Sequence, residues 1–190
     1  CHVAKEEEIE SKKERLVSYI NELCSKLTES YRRTTAENKN GWNWFENCLT
    51  YSNFKLPESL YHAFKITKNN EYKKLAETSM KFLMGVTFEK ENIFSPIGQD
   101  GWYFRNGKRA YFDQQPEDTA SAIEALITAH TVTGKKIYKD KAILTFQWFL
   151  GKNHLNQMVY DEATGGCYDG IGKYSLNFNQ GAESSLSYFL

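Results

Sequence analysis

The chain has 190 residues, with 24 basic and 24 acidic side chains that cancel to a formal charge of zero. That balance gives no electrostatic reason to expect a nucleic-acid or membrane-surface partner. Hydrophobic residues make up 41% and charged residues 25%, the composition of a globular chain able to bury one sizeable core, and no apolar run approaches the roughly 18 residues of a membrane span.

The chain opens with CHVAKEEEIESKKERL, which has no signal-peptide pattern. Cys1, Cys24, Cys48 and Cys167 stand far apart, as do His2, His62, His130 and His154, so no zinc-ligand spacing exists. Buried, reduced thiols and a cytoplasmic location are expected, with no metal and no cofactor. Segment 9–33 places Ile9, Leu16, Tyr19, Ile20, Leu23, Leu27 and Tyr31 at helical spacings. A run of aromatic and polar residues, WNWFENCLTYSNFKL, follows at 42–56.

Helical patterns recur at 57–68, 71–86, 117–132 and 137–150, and again from 182 onward. Pro57 and Pro116 stand at helix starts, where a missing N–H does no harm. Two of these helix pairs repeat without a gap. Leu60, Ala63, Thr67, Tyr72 and Ala76 match Leu126, Ala129, Thr133, Tyr138 and Ala142 at an offset of 66, and a third copy is expected to begin at Ser184, with a spacing of 60. Pairs of helices repeating in this way predict stacked αα-hairpins, each covering its neighbour's apolar face.

Long connections join the hairpins, at 87–115 and 151–180, and long connections tend to be functional. Within the first, WYFRNGKRAYF (102–112) predicts two short strands around Asn106-Gly107, and 158–178 predicts a similar arrangement. With the hairpins side by side, the long loops and the helix starts near 57, 117 and 182 gather on one rim. The expected architecture is all-α: αα-hairpin repeats with short β-hairpins in the long loops. One helical domain over 1–190 is expected, with an N-terminal helix over 1–40 and hairpin repeats over 41–190. The closing residues AESSLSYFL read as a helix still running, as in a piece of a longer chain.

The runs FDQQP (112–116), TGGCYDG (164–170) and NQGAES (179–184), with WNWFENCLTYSNFKLPESL (42–60), resemble an α/α-toroid module over residues 40–190. That module is related to the six-hairpin glycosidase-like proteins and is often found with bacterial glycosyltransferase-like domains. The resemblance implies a partial (α/α) toroid and a carbohydrate ligand. Wider relatives of the module include glycoside hydrolases and sugar epimerases, although a fold does not fix a reaction. A closed ring of six hairpins needs twelve helices; six or seven are legible here, so the resemblance also leaves room for a homo-oligomer or for further chain.

Sugar hydrolysis uses two carboxyl groups flanking one bond. The rim carboxylates Glu46, Asp113, Asp118 and Glu183 are the catalytic candidates. For Glu117 and Asp118, a favourable charge in the first helical turn explains the residue type equally well. Asn53, Gln114, Gln115, Asn179 and Gln180 both donate and accept, as sugar hydroxyls require, with Asp169 beside them. The same amides also suit bonding within loops. Trp42, Trp102, Tyr103, Tyr111 and Tyr168 are candidates for stacking on sugar rings, with Trp102 and Tyr103 the better placed on a predicted hairpin, whereas Trp44, Phe45 and Trp148 suit a core. Arg105, Lys108 and Arg109 read as a solvated tip or as contacts for an acidic sugar. Three functions follow: an enzyme acting on glycosidic bonds or sugars, a glycan-binding accessory module of a glycosyltransferase system, and a self-associating scaffold.

Overall fold

The 66-residue repeat reproduces its hydrogen bonds as well as its apolar positions. In the computed structural model, which describes residues 2–36, 41–89 and 92–190, α2 (Lys55–Thr67) and α3 (Asn70–Thr87) form one hairpin. Helices α4 (Pro116–Thr133) and α5 (Lys136–Phe146) form the next. Thr67 Oγ1 donates to Ala63 O at 2.8 Å and accepts from Asn69 N at 3.2 Å. Thr133 Oγ1 does the same with Ala129 O and Lys135 N, at 2.7 and 3.2 Å. Each hairpin turns through a left-handed residue, Lys68 at φ 58° and Gly134 at φ 70°, whose N–H closes the last helical turn. Asn69 Oδ1 then caps α3 by accepting from Glu71 N.

Helix α1 (His2–Thr35) precedes these hairpins and α6 (Ala182–Phe189) follows them. Cys1 lies outside the described residues. The helices form two layers. In one, α2 packs on α4 and α4 packs on α6; in the other, α1, α3 and α5 lie behind them. We call these the inner and outer layers. Leu60, Tyr61 and Ala63 of α2 meet Leu75, Ala76, Met80 and Leu83 of α3, while Ala122, Ala125, Leu126 and Ala129 let α4 approach closely on several sides. Helix α4 is central, so most of its surface is buried.

The three inner helices start at one end of the molecule. Asp118 Oδ1, in the first turn of α4, accepts from Ser52 N just ahead of α2, at 2.6 Å. Asp169 Oδ1 accepts from Gly181 N and Ser184 Oγ at the start of α6. Trp44, Phe45, Phe94, Trp148 and Phe149, all fully buried, fill the space beneath the loops at this end.

Three expectations need correction. The starts of α4 and α6, Pro116 and Ala182, are 66 residues apart. The third copy therefore keeps the original period and does not shorten to 60, because the rim motif FDQQ/FNQG fixes where each inner helix begins. The turn at Asn106-Gly107 exists, with Gly107 N on Phe104 O at 2.8 Å, but its strands do not pair simply with each other. Strand β2 (Tyr103–Phe104) pairs antiparallel with β1 (Cys48–Leu49), while the returning arm bonds through Ala110 N to Trp102 O. The distant aromatic segment offers β2 an edge and buries Leu49 in doing so. A second antiparallel pair, β3 (Gly170–Ile171) with β4 (Leu176–Asn177), forms in the last long loop. Finally, Arg109 is no solvated tip. It lies over the Tyr111 ring at 4.4 Å and donates to Val86 O, Pro96 O and both oxygens of Ser95, pinning the first long loop. Cys24 and Cys167 are buried free thiols, whereas Cys48 is half-buried.

Candidate functional site

The predicted site residues divide according to what their polar atoms already do. Gln114 is 2% exposed, and both ends of its amide are engaged. Nε2 donates to Ser95 Oγ at 3.2 Å and Tyr111 O at 3.0 Å, and Oε1 accepts from Trp148 Nε1 at 2.8 Å. It holds the first long loop to the buried indole. Asn53 likewise closes its own turn, with Oδ1 on Thr50 N and Nδ2 on Thr50 O. Gln114→Leu is therefore expected to cost about 2–3 kcal/mol by leaving the Trp148 N–H buried and unpaired. A urea denaturation midpoint unchanged by that substitution would contradict this assignment.

Asp169 caps α6, as described above, and Glu117 accepts from Ser52 Oγ at 2.6 Å. Gln180 is exposed but tied down: Nε2 donates to Asp161 Oδ2 and Oε1 accepts from Thr164 Oγ1, both at 2.9 Å. Asn179 is exposed, its N–H on Asn177 Oδ1. Gln115 precedes α4 and makes no side-chain capping bond. Glu46 and Glu183 are both exposed; Glu46 stands ahead of β1 and Glu183 in the first turn of α6. Tyr103 packs edge-on against Trp42, Trp102 lies 6.0 Å from Tyr51, and Tyr168 meets Phe178 edge-on at 5.2 Å.

Asp113 and Asp118 differ from the rest. Asp118 is 5% exposed; Oδ1 accepts from Ser52 N, while the buried Oδ2 has no partner among the described residues. Burial, reinforced by Glu117, pushes its pKa up to about 7 against the opposing Ser52 bond. Asp113 lies between two backbone approaches. Gln99 N donates to its carbonyl at 3.0 Å, and on the other side Gly170 stands against its carboxylate, where an added Cβ would lie 3.0 and 3.2 Å from the two oxygens. The Phe112–Asp113 peptide is cis. Asp113 Oδ1 is buried without a partner among the described residues. Burial raises its pKa first and the Asp100 carboxylate second, against the Gln114 backbone N–H.

Sequence reasoning missed Asp100. Its N–H bonds Phe112 O at 2.8 Å, so it shares the Asp113 neighbourhood, and it is exposed. The one signal in the sequence is its place in the run GQDG (98–101), where flanking glycines permit close backbone approach. The exposed ring of Tyr111 stands in the first long loop, and sequence reasoning passed over those of Tyr51, Tyr174 and Phe178, which are also exposed beside long loops. A cleft of about 280 Å³ is lined in part by Phe112, Gln114 and His154, with Asp113 not part of its lining. A larger depression, about 860 Å³, lies between α3 and α5 in the outer layer and holds none of the predicted site residues. Among the described residues no group of three or more His, Cys, Asp or Glu could hold a metal ion, and no helix is long and apolar enough to cross a membrane.

No protein-family model matches the chain, and no curated protein matches its sequence. Its structure is similar to that of the glycoside hydrolase family 76 mannosidase Bt3792 from Bacteroides thetaiotaomicron VPI-5482, with a TM-score of 0.52 and 13% sequence identity. The fold is that of a partial α/α toroid. The likeness covers 67% of this chain and 33% of the mannosidase, so the chain spans about a third of that protein.

Proposed function

We propose that the chain is a carbohydrate-active toroid module in which Asp113 is the general acid. The observation that carries this reading is the Asp113 carboxyl: one oxygen buried and unpartnered, with a second carboxylate, Asp100, raising its proton affinity. Glycosidic cleavage uses a carboxyl that donates a proton to the leaving oxygen, and Asp113, its pKa raised by burial and by the Asp100 carboxylate, suits that donor. Tyr51, Trp102, Tyr111 and Phe178 supply apolar ring faces at the same rim, suited to stacking on a pyranose. The glycosidase-like fold supports the substrate class.

A glycan-binding accessory role, beside a glycosyltransferase-like partner, is the second reading. What favours it is that Asp118, Asp169, Gln114 and Gln180 are already committed to holding loops.

Manno- and gluco-oligosaccharides in a thermal-shift panel test both readings. A ligand at a hundredfold excess over its Kd adds about 2.7 kcal/mol of native-state stability, roughly 5–11 °C for a chain of this size. Asp113→Asn is expected to abolish product formation and weaken the ligand shift, while the unliganded variant melts no lower than wild type, since it loses a carboxylate that burial disfavours. Product release with no loss in Asp113→Asn removes Asp113 from the chemistry. A ligand shift with no product in either protein favours the accessory role, and no shift with any glycan sinks both.

A further inference from the structure

The first rim loop leaves hydrogen-bonding capacity unused that the second does not. In both, a glutamine ahead of an inner helix donates to a residue 19 positions earlier: Gln114 Nε2 to Ser95 Oγ at 3.2 Å, and Gln180 Nε2 to Asp161 Oδ2 at 2.9 Å. The two pairs are related by the same offset of 66. This bond needs only an acceptor, and an ionised Asp161 is acceptor-only. Ser95 brings a proton as well. Its Oγ already accepts twice, from Gln114 and from Arg109 Nη2 at 2.9 Å, so both lone pairs are used and the O–H has no acceptor among the described residues. The residue is 4% exposed. A buried hydroxyl proton left without an acceptor is costly and calls for an explanation.

Arg109 adds to the imbalance. It donates to Val86 O, Pro96 O and the two oxygens of Ser95, none of them a carboxylate, and its Nε is buried without a partner among the described residues. A cationic donor on Ser95 Oγ polarises the hydroxyl and strengthens its proton as a donor. Aspartate at this position, as in the second repeat, would satisfy Gln114, pair with Arg109 and leave no proton over. The loop itself gives no reason for a hydroxyl here.

Ser95 lines the cleft of about 280 Å³, together with Glu89, Phe94, Tyr111, Phe112 and His154. The His154 ring is tilted against Phe112, with centroids 4.7 Å apart, and its Nε2 lies 3.0 Å from Gly172 O. A carbonyl only accepts, so the hydrogen is assigned to Nε2, and the neutral ring keeps a lone pair on Nδ1. The exposed Glu89 carboxylate also accepts. A donor, acceptors and aromatic walls together suit a hydroxylated ring, whose hydroxyls both donate and accept and whose C–H faces pack on aromatics. The volume is just under the roughly 300 Å³ at which ligand pockets begin, which is room for one ring and not for a chain. Glu89 at the same cleft disfavours a carboxylate-bearing sugar.

We propose that this cleft is a second carbohydrate subsite, holding one neutral pyranose, with a sugar oxygen accepting from Ser95 Oγ and a sugar hydroxyl donating to His154 Nδ1. It rests on the carbohydrate reading but not on Asp113, whose carboxylate stands against Gly170 and does not line the cleft.

Saturation-transfer NMR of the full chain with free mannose and free glucose tests it, because the cleft takes a single ring. Transfer is expected from wild type and equally from Asp113→Asn. Ser95→Asp copies the second repeat: it keeps an acceptor for Gln114, gives Arg109 a counter-charge and removes the proton. It should melt no lower than wild type yet show no transfer. His154→Phe keeps a ring against Phe112 and removes the lone pair, and should weaken binding about five- to tenfold, the worth of one hydrogen bond. Binding as in wild type by either Ser95→Asp or His154→Phe overturns the subsite. Transfer lost in Asp113→Asn but kept in Ser95→Asp does the same, and leaves the carbohydrate reading standing with the sugar at Asp113. An absence of transfer from both sugars also overturns the subsite. An oligosaccharide thermal shift in that protein would then show that the carbohydrate reading survives it, and no shift with any glycan that both fail.

Discussion

Gly98→Ala is expected to cost about 4 kcal/mol or more, the range reached when a backbone site has no room for added atoms. A Cβ on Gly98 would overlap the N, C and O atoms of Phe112. Those are backbone atoms and cannot swing aside as a side chain would. They are also held in place: Gly98 N donates to Ala110 O, Gln99 N to Asp113 O and Asp100 N to Phe112 O, at 3.0, 3.0 and 2.8 Å. To admit one methyl group, these three bonds must lengthen together, and the Asp113–Asp100 arrangement moves with them. Gly134→Ala is the matched control. There an added Cβ meets nothing within 4 Å, and only the φ of 70° opposes it, so a cost of about 1 kcal/mol is expected. Urea denaturation of the two variants separates the mechanisms. A Gly98→Ala protein as stable as Gly134→Ala would show that the 98–100 segment can move away from Phe112 freely, and Asp113 would lose the rigid seat argued for it.

That seat was invisible in the sequence, and the reason is physical. Helix periods are local properties, so Leu60, Ala63, Thr67, Tyr72 and Ala76 declared their repeat at once, and the structure reproduces it down to the Thr67 and Thr133 hydroxyl bonds. The gathering of long loops on one rim was legible too, because short and long connections alternate. Which rim polar group faces solvent is decided by contacts between segments distant in sequence. Gln114 looked like a sugar ligand by residue type; the Trp148 indole, 34 residues later, claims it. Asp118 looked like a first-turn charge, yet its strongest bond goes to Ser52, 66 residues earlier. Tyr103–Phe104 formed a strand beside an expected turn but chose a partner more than 50 positions upstream. Residue type identified which side chains were chemically able to bind a glycan; tertiary pairing commits Asn53, Gln114, Asp118, Asp169 and Gln180 to the protein's own loops and sets the unnoticed Asp100 beside Asp113.

The stability of the chain is expected to fall as pH rises from about 4 to about 7, and Asp118→Asn to remove much of that fall. The Asp118 carboxyl is pushed up to about 7 from an ordinary value of 3.8. Between those values the native state keeps a proton that the unfolded chain has released, so the contribution is fully present below the unfolded value and lost as pH climbs through the folded one. A displacement of about three pKa units corresponds to a loss on the order of 4 kcal/mol, or roughly 8–16 °C in Tm for a chain of this size. The cause is geometric: a charge shut in at the first turn of α4, with one oxygen bonded to Ser52 N, the other unpartnered, and Glu117 adding a second negative charge nearby. Asn at this position keeps the acceptor for Ser52 N and carries no charge. Whatever fixed cost its amide brings, the difference between the two proteins should widen from pH 4 to about pH 7 in favour of the variant and then level off. Asp113 titrates in the same direction and is present in both proteins, so it cancels from that difference. Melting curves that stay parallel across the range would mean that the ionised Asp118 is as well solvated in the folded protein as in the unfolded chain. The α4–Ser52 contact would then have to open to water in solution, and the rim would be looser than its hydrogen bonds indicate.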